Sequence, residues 1–291
     1  MSKITHFKPK KLLALSGKEY IGKNVLVTGG GTGLGKKIAT FYSKLGANVV
    51  ISSRKQEVID KTAKEIMDLT SGEVFAFPLD VRNHDSVLEL KKKLSSNQLF
   101  PDVIVNNAAG NFISPTERLS YNAWNSVLDI VLKGTFDITL EFGREMIHSG
   151  IGGVILNISA TYGQTGSGYV VPSSVAKAGC DNLVKSLGAE WGKYGIRLLS
   201  VAPGPIYTEG AFSRLDPTGE FEKSVKEKMP TGRLGEKQEL ANLVTYLTSD
   251  YASWMTGQVV TFDGGEVCSN SGEFNSLAKL SASDWDKLRP S

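Results

Sequence analysis

Cysteine and histidine are scarce in this sequence, at two and three among 291 residues. Cys180 and Cys268 lie far apart and cannot build a disulfide framework or a zinc site. His6, His84 and His148 are scattered, so no histidine-based metal cluster is expected. No apolar run reaches the roughly 18 residues that a membrane helix needs. A charge excess is also missing. The 33 Lys and Arg stand against 30 Asp and Glu, a net of +3, with no dominant basic run, which excludes a general nucleic-acid surface. These absences predict a reduced, soluble, intracellular protein without a metal. Glycine, by contrast, is in surplus: 31 residues, above the usual ~7%. It has no collagen period, so it points to tight turns or to close backbone approach to a ligand.

Residues 1–19 read as a basic arm, with Lys3, Lys8, Lys10, Lys11 and Lys18 and no acid before Glu19. A transit peptide is also basic and acid-poor, but it is usually rich in Arg, which this stretch lacks; a mobile arm is the expectation. The chain ends Leu288-Arg289-Pro290-Ser291, without a peroxisomal Ser-Lys-Leu signal. Residues 20–291 read as one domain. Strand candidates are Asn24–Thr28, Asn48–Ser52, Val74–Leu79, Val103–Asn106, Val154–Ile158, Arg197–Val201 and Gln258–Phe262. Several are nearly continuous in Val, Ile and Leu, as strands buried on both faces are. Helical period marks Lys36–Leu45, Ala123–Ile147, Ser174–Tyr194 and Gln238–Ser249. The alternation predicts a doubly wound α/β domain, a seven-stranded parallel sheet with helices on both faces.

The first strand runs into Thr28-Gly29-Gly30-Gly31-Thr32-Gly33-Leu34-Gly35, and a helix follows. A strand, a glycine turn and a helix N-terminus make an anion site, because backbone N–H groups and the helix dipole both favour a phosphate. The common G-x-G-x-x-G spacing does not fit, since Lys36 falls where its last glycine belongs. A Walker-type reading through Gly30, Gly35 and Lys36 lacks the following Ser or Thr, because Lys37 stands there. T-G-x-x-x-G-x-G fits through Thr28, Gly29, Gly33 and Gly35. The second strand ends Ser52-Ser53-Arg54-Lys55, where an NAD enzyme usually carries an acid for the ribose. An Arg beside hydroxyls favours a 2′-phosphate instead, so NADPH is the expected cofactor. Asp80, ending the third strand, suits adenine. Asn106-Asn107-Ala108-Ala109-Gly110 places small residues beside the cofactor.

These features resemble the short-chain dehydrogenase/reductase superfamily, through Pro203-Gly204-Pro205-Ile206 and Asp263-Gly264-Gly265 as well. Members typically reduce carbonyls with a Tyr-x-x-x-Lys pair, an upstream Ser and an Asn. Lys177 matches the lysine, but Ser173 stands for the Tyr, Ala160 for the Ser and Val131 for the Asn. Ordinary ketone chemistry is therefore expected to be impaired. Reduction of a double bond conjugated to a thioester needs donors aimed at an enolate oxygen instead. Tyr162 after the fifth strand and Asn111 after the fourth are candidates.

A narrower resemblance is carried by Asn106–Leu119 (NNAAGNFISPTERL), Gly166–Pro172 (GSGYVVP), Glu190–Gly195 (EWGKYG), Gly210–Gly219 (GAFSRLDPTG) and Ser271–Asn275. These runs look like the mitochondrial type of 2,4-dienoyl-CoA reductase. The resemblance implies NADPH-dependent reduction of a 2,4-dienoyl-CoA to a 3-enoyl-CoA in β-oxidation. Tyr162 and Asn111 would hold the thioester oxygen, Ser173 would support them and Lys177 would hold the nicotinamide ribose. The cofactor would lie over Gly29–Leu34, Arg54, Asp80 and Pro203–Ile206. Arg54, Arg82, Phe112, Ser120 and Arg214 would contact the acyl-CoA. A homotetramer is implied, and a mitochondrial location, with a cytoplasmic one as the alternative. Two rivals remain: an NADPH-dependent ketoacyl or enoyl reductase, and a catalytically silent binding protein of the same fold.

Overall fold

The computed structural model describes residues 8–208, 223–225 and 229–288. Seven strands, β1 (Asn24–Thr28), β2 (Asn48–Ser53), β3 (Val74–Pro78), β4 (Val103–Asn106), β5 (Gly153–Ile158), β6 (Ile196–Pro203) and β7 (Gln258–Phe262), form one sheet. Their order is β3-β2-β1-β4-β5-β6-β7, and every pairing is parallel. The chain leaves β1 toward β2 and β3, then crosses back to place β4 on the other side of β1. A crevice opens at that reversal, outside the carboxyl ends of the strands.

Alternation along the strands assigns side chains to two cores. Val25, Val27, Val49 and Ile51 face one side and pack with Ile38 and Phe41 of α1 (Gly33–Lys44). Leu26, Val50 and Ile104 face the other side. There they meet α3 (His84–Ser96) through Leu90 and Leu94, and α5 (Gly134–Ser149) through Ile138 and Phe142. Burial on both faces is why these strands carry so little polarity. Helices α2 (Gln56–Thr70) and α3 lie between the predicted strands, each burying one apolar face, with Ile59, Ala63 and Ile66 on α2 and Val87, Leu90 and Leu94 on α3; neither was among the expected helices. The expected Ala123–Ile147 helix begins earlier, as α4 (Tyr121–Leu128), passes through one π turn at Asp129–Lys133 and continues as α5. The third strand stops at Pro78, so Asp80 lies beyond its end rather than on it.

Tyr162 opens a one-turn helix, α6 (Tyr162–Thr165), where a loop was expected. Helix α7 (Val171–Trp191) starts three residues before the predicted Ser174, which puts Ser173 in its first turn. Helix α8 (Lys237–Thr248) follows, and after β7 come the short α9 (Glu266–Ser271) and α10 (Ala282–Lys287). The described part of the basic arm is docked rather than loose. Asn242 of α8 donates to the Leu12 carbonyl and accepts from the Ala14 N–H, both at 2.8 Å, while Leu13 and Leu15 pack on the core. Arg197 of β6 donates to four carbonyls, those of Leu247, Ser249, Ala252 and Met255, and so closes the C-terminal end of α8.

Candidate active site

The glycine loop is shaped by two different demands. Gly29 and Gly33 have φ of +65° and +56°, a conformation that side chains resist. Gly30 needs space: a Cβ there would lie 2.8 Å from Ile51. At Gly35 a Cβ would come within 2.5 Å of Asn107 Nδ2. Asn107 locks the loop by donating to the Thr28 and Gly29 carbonyls at 3.0 and 3.2 Å. Thr28 Oγ1 in turn accepts from the Asn107 and Ala108 N–H groups at 3.1 Å. The N-cap of α1, Thr32, makes no side-chain cap bond, and the first turn carries no acid. The positive end of the helix dipole is thus presented to an anion. Lys36 is ion-paired with Glu65 of α2 rather than turned to the loop, which disposes of the Walker-type reading. These residues fit a dinucleotide pyrophosphate.

Beside the loop, Arg54 is exposed beyond β2. It lines a cavity of about 260 Å³ with Leu79, Asp80, Ser86 and Lys93. Asp80 and Arg82 are bound to each other: Arg82 Nη2 lies 2.6 Å from Asp80 Oδ2, and Nε 2.9 Å from Oδ1. Hydrogen bonding from Arg82 holds the Asp80 carboxyl below the usual carboxylate range, against burial. The structure therefore puts Arg82, expected at the substrate, in partnership with the residue expected at adenine.

The chemical end of the crevice lies over β5, β6 and α7. Tyr162 Oη is 3.2 Å from Ser173 Oγ, and Ser173 is almost fully buried. Ser174 Oγ donates to the Tyr162 carbonyl at 2.7 Å. Gly163 seats this turn on α7, since a Cβ there would be 3.0 Å from Lys177 Cβ and 3.2 Å from Asp181 Oδ2. Burial pushes the Tyr162 phenol up, only partly opposed by its bond with Ser173. The phenol is a neutral hydrogen-bond donor at physiological pH. Lys177 is buried and donates to the Ile158 carbonyl. Burial pushes its ammonium down, with Cys180 and Asp181 opposing.

Asn111 stands on the loop after β4, next to β5 in the sheet. Its Oδ1 accepts from the Phe112 N–H at 2.8 Å, which leaves the amide NH₂ as its donor group. Ala160 and Val131 are buried and apolar where a carbonyl-reducing site needs Ser and Asn; the Val131 carbonyl accepts from Cys180 Sγ. Across the strand ends, the Gly204 N–H donates to Phe262 O at 3.0 Å, and Ile206 bridges to Gly235. A Cβ on Gly204 would be 2.9 Å from Asp263, so the chain leaving β6 runs close against the turn that follows β7.

Other expected contacts fare differently. Phe112 is exposed. Ser120 is the N-cap of α4, its Oγ accepting from the Ala123 N–H at 3.1 Å, so it has a structural task. Arg214 lies outside the described residues. Sequence reasoning missed Ser174, Asp181 and Glu266. Asp181, one turn beyond Lys177, accepts from Ser200 Oγ at 2.7 Å, and burial raises its carboxyl. Glu266 is raised by burial and by Asp263, against a 3.5 Å bond from Thr161. A carboxylate one turn from a buried lysine was a signal available in the sequence.

This architecture, with its glycine loop, buried lysine and nucleotide crevice, is that of a nicotinamide-dependent oxidoreductase. A family model described as enoyl-(acyl carrier protein) reductase matches residues 29–266. The chain belongs to the short-chain dehydrogenase/reductase family. It is 48% identical over 88% of its length to an uncharacterized oxidoreductase of Caenorhabditis elegans, covering 83% of that protein. It is 46% identical over 86% of its length to a second protein of that organism, covering 82% of it. The second bears the name "Probable 2,4-dienoyl-CoA reductase 3 [(3E)-enoyl-CoA-producing]". A short-chain dehydrogenase structure from Bacillus anthracis superposes with a TM-score of 0.77 at 40% identity, covering 87% of this chain and 98% of that one. A gluconate 5-dehydrogenase-type structure from Beutenbergia cavernae with bound NADP has a TM-score of 0.80 at 28% identity, covering 85% and 98%.

Proposed function

We propose that the protein reduces 2,4-dienoyl-CoA thioesters to 3-enoyl-CoA with NADPH. The observation that carries the reading is the pairing of a neutral, partly buried Tyr162 with Ser173, in a site that keeps the family lysine and has lost its Tyr, Ser and Asn. Such a site donates hydrogen bonds to a developing oxyanion. It has no tyrosine at position 173 to protonate an alkoxide.

A nicotinamide held in this crevice would supply the hydride that the δ-carbon of the diene accepts. Gly29–Leu34 would cradle the pyrophosphate, with the Gly29 and Gly30 N–H groups donating to the Ser52 carbonyl and those from Gly31 onward facing the phosphates, and Arg54 would hold the 2′-phosphate. Lys177, which donates to the Ile158 carbonyl, would hold the nicotinamide ribose, and Pro203–Ile206 would line the nicotinamide. As the substrate gains an electron pair, negative charge moves through the dienolate onto the thioester oxygen. Tyr162 and Asn111 stabilise it there, in a site where limited water strengthens both bonds. Ser173 keeps the Tyr162 hydroxyl oriented. A water proton is taken at the α-carbon, which leaves the double bond between the β- and γ-carbons and balances the reaction. We assign the protein to mitochondrial β-oxidation as a homotetramer, on the family resemblance; the exposed Phe136 and Trp254 are consistent with subunit contacts.

The test is NADPH oxidation with a dienoyl-CoA beside the matching ketoacyl-CoA. Turnover with the dienoyl thioester alone supports the assignment. Turnover with the ketoacyl thioester alone favours the ketoacyl reductase, and none with either favours a silent binding protein.

A further inference from the structure

Tyr169 stands out on the turn between α6 and α7. Its φ is +65°, in the left-handed region where a bulky residue is a genuine outlier. It is also 64% exposed, so no packing repays the strain. Gly166 and Gly168 lie close by in sequence, yet the strained position holds an aromatic residue. Backbone strain of this kind persists where the surroundings enforce it, and it clusters at ligand-binding segments.

A cross-loop bond ties this residue's backbone. The Tyr169 carbonyl accepts from the Ser114 N–H at 2.9 Å. That bond joins the turn carrying Tyr162 to the loop carrying Asn111, above the adjacent strands β5 and β4. Immediately before Ser114, Phe112 and Ile113 are 49% and 53% exposed. Three large apolar side chains are thus left in water on the two loops that bear the donors. Phe112 and Ile113 adjoin Asn111 in sequence, and the Ser114 bond holds the Tyr169 backbone beside them.

We propose that Tyr169, with Ile113, forms the acyl-chain wall of the site and determines which chain lengths are accepted. This rests on the dienoyl-CoA reading, because a thioester oxygen held by Tyr162 and Asn111 would start its acyl chain between these two loops. The occupant is the saturated tail beyond the diene, whose methylenes gain by leaving water against apolar side chains. The carbonyl of residue 169 survives any substitution, so the Ser114 bond and the side chain are separable.

The experiment compares kcat/KM for hexadienoyl-CoA and decadienoyl-CoA in wild type, Tyr169→Gly and Tyr169→Phe, with Ile113→Ser as an independent variant. Removing the ring is expected to lower the decadienoyl-to-hexadienoyl ratio about tenfold. Tyr169→Phe should keep the ratio within about twofold of wild type. Ile113→Ser should shift it the same way as Tyr169→Gly. Glycine relieves the positive φ, so Tyr169→Gly should melt no lower than wild type, and a changed ratio cannot be ascribed to unfolding. An unchanged ratio in both Tyr169→Gly and Ile113→Ser, with wild type active on both thioesters, overturns the wall while leaving the reductase assignment intact. A wild type that reduces neither thioester overturns both.

Discussion

Removing the Tyr162 hydroxyl separates catalysis from folding. In Tyr162→Phe the ring remains, and the Ser174 bond to the Tyr162 carbonyl is untouched. Two things are lost. One is the oxyanion donor, which should lower kcat by about 10²–10³, or roughly 3–4 kcal/mol of transition-state stabilisation. The other is the 3.2 Å bond with Ser173 Oγ, whose buried hydroxyl is left without that partner at a cost of about 1 kcal/mol. For a chain of this length that lowers Tm by only a few degrees. Steady-state kinetics with a dienoyl-CoA should show kcat and kcat/KM falling together with KM nearly constant, as for a bond made only in the transition state. Ser173→Ala should cost about tenfold, and its effect should nearly vanish in the Tyr162→Phe background, because Ser173 acts through the phenol. If Tyr162→Phe kept kcat within about threefold, or if Ser173→Ala acted equally in both backgrounds, the donor role would be refuted.

Arg54→Ala should weaken NADPH at least tenfold and NADH hardly at all, by fluorescence titration; equal losses would remove the 2′-phosphate assignment. Gly35→Ala presses a methyl against Asn107 and the Gly29 backbone. It should weaken the nucleotide more than tenfold and lower Tm, and an unperturbed Kd would show that the loop adapts. Burial lowers the Lys177 pKa, so its charged form opposes folding, most fully below the folded pKa. As pH rises from that value to the ordinary lysine value, the unfolded chain holds more protons than the native one, and stability is gained. Denaturant unfolding of wild type against Lys177→Met should therefore move in favour of wild type as pH rises through that window; a pH-independent difference would contradict the buried, charge-bearing role.

Much of the sheet was legible because strands buried on both faces cannot hide: β1 and β4 fall at the bounds their Val, Ile and Leu runs indicate, and the half-buried edge strand β7 falls at its predicted bounds as well. The glycine loop was equally plain, since its backbone demands exclude other residues. Helices α2 and α3 were less so. Both are amphipathic, with Ile59, Ala63 and Ile66 or Val87, Leu90 and Leu94 spaced along the buried face, so their pattern was present in the sequence but is diluted by the many charged residues between, as at Lys91-Lys92-Lys93. The docking of residues 12–15 was hidden because its partner, Asn242, is more than two hundred residues away in sequence. In the candidate site, the residue types at 111, 162, 173 and 177 were readable, and so was the loss of the family's tyrosine. The Tyr162–Ser173 and Asp80–Arg82 pairings were not, because both depend on how short turns settle on neighbouring elements. Ser174 escaped notice for the same reason, being an ordinary helix residue until the Tyr162 carbonyl becomes its acceptor, whereas Asp181 was signalled by its place one turn beyond Lys177.

The central claim is that this site delivers a hydride to a conjugated thioester and stabilises the resulting dienolate. The most direct measurement is the product of one turnover with a dienoyl-CoA and NADPH deuterated at the transferable position, in ordinary water, read by NMR. The mechanism predicts deuterium on the δ-carbon, a solvent proton on the α-carbon and a double bond between the β- and γ-carbons. Deuterium on the β-carbon, or a product retaining its α,β double bond, would contradict it.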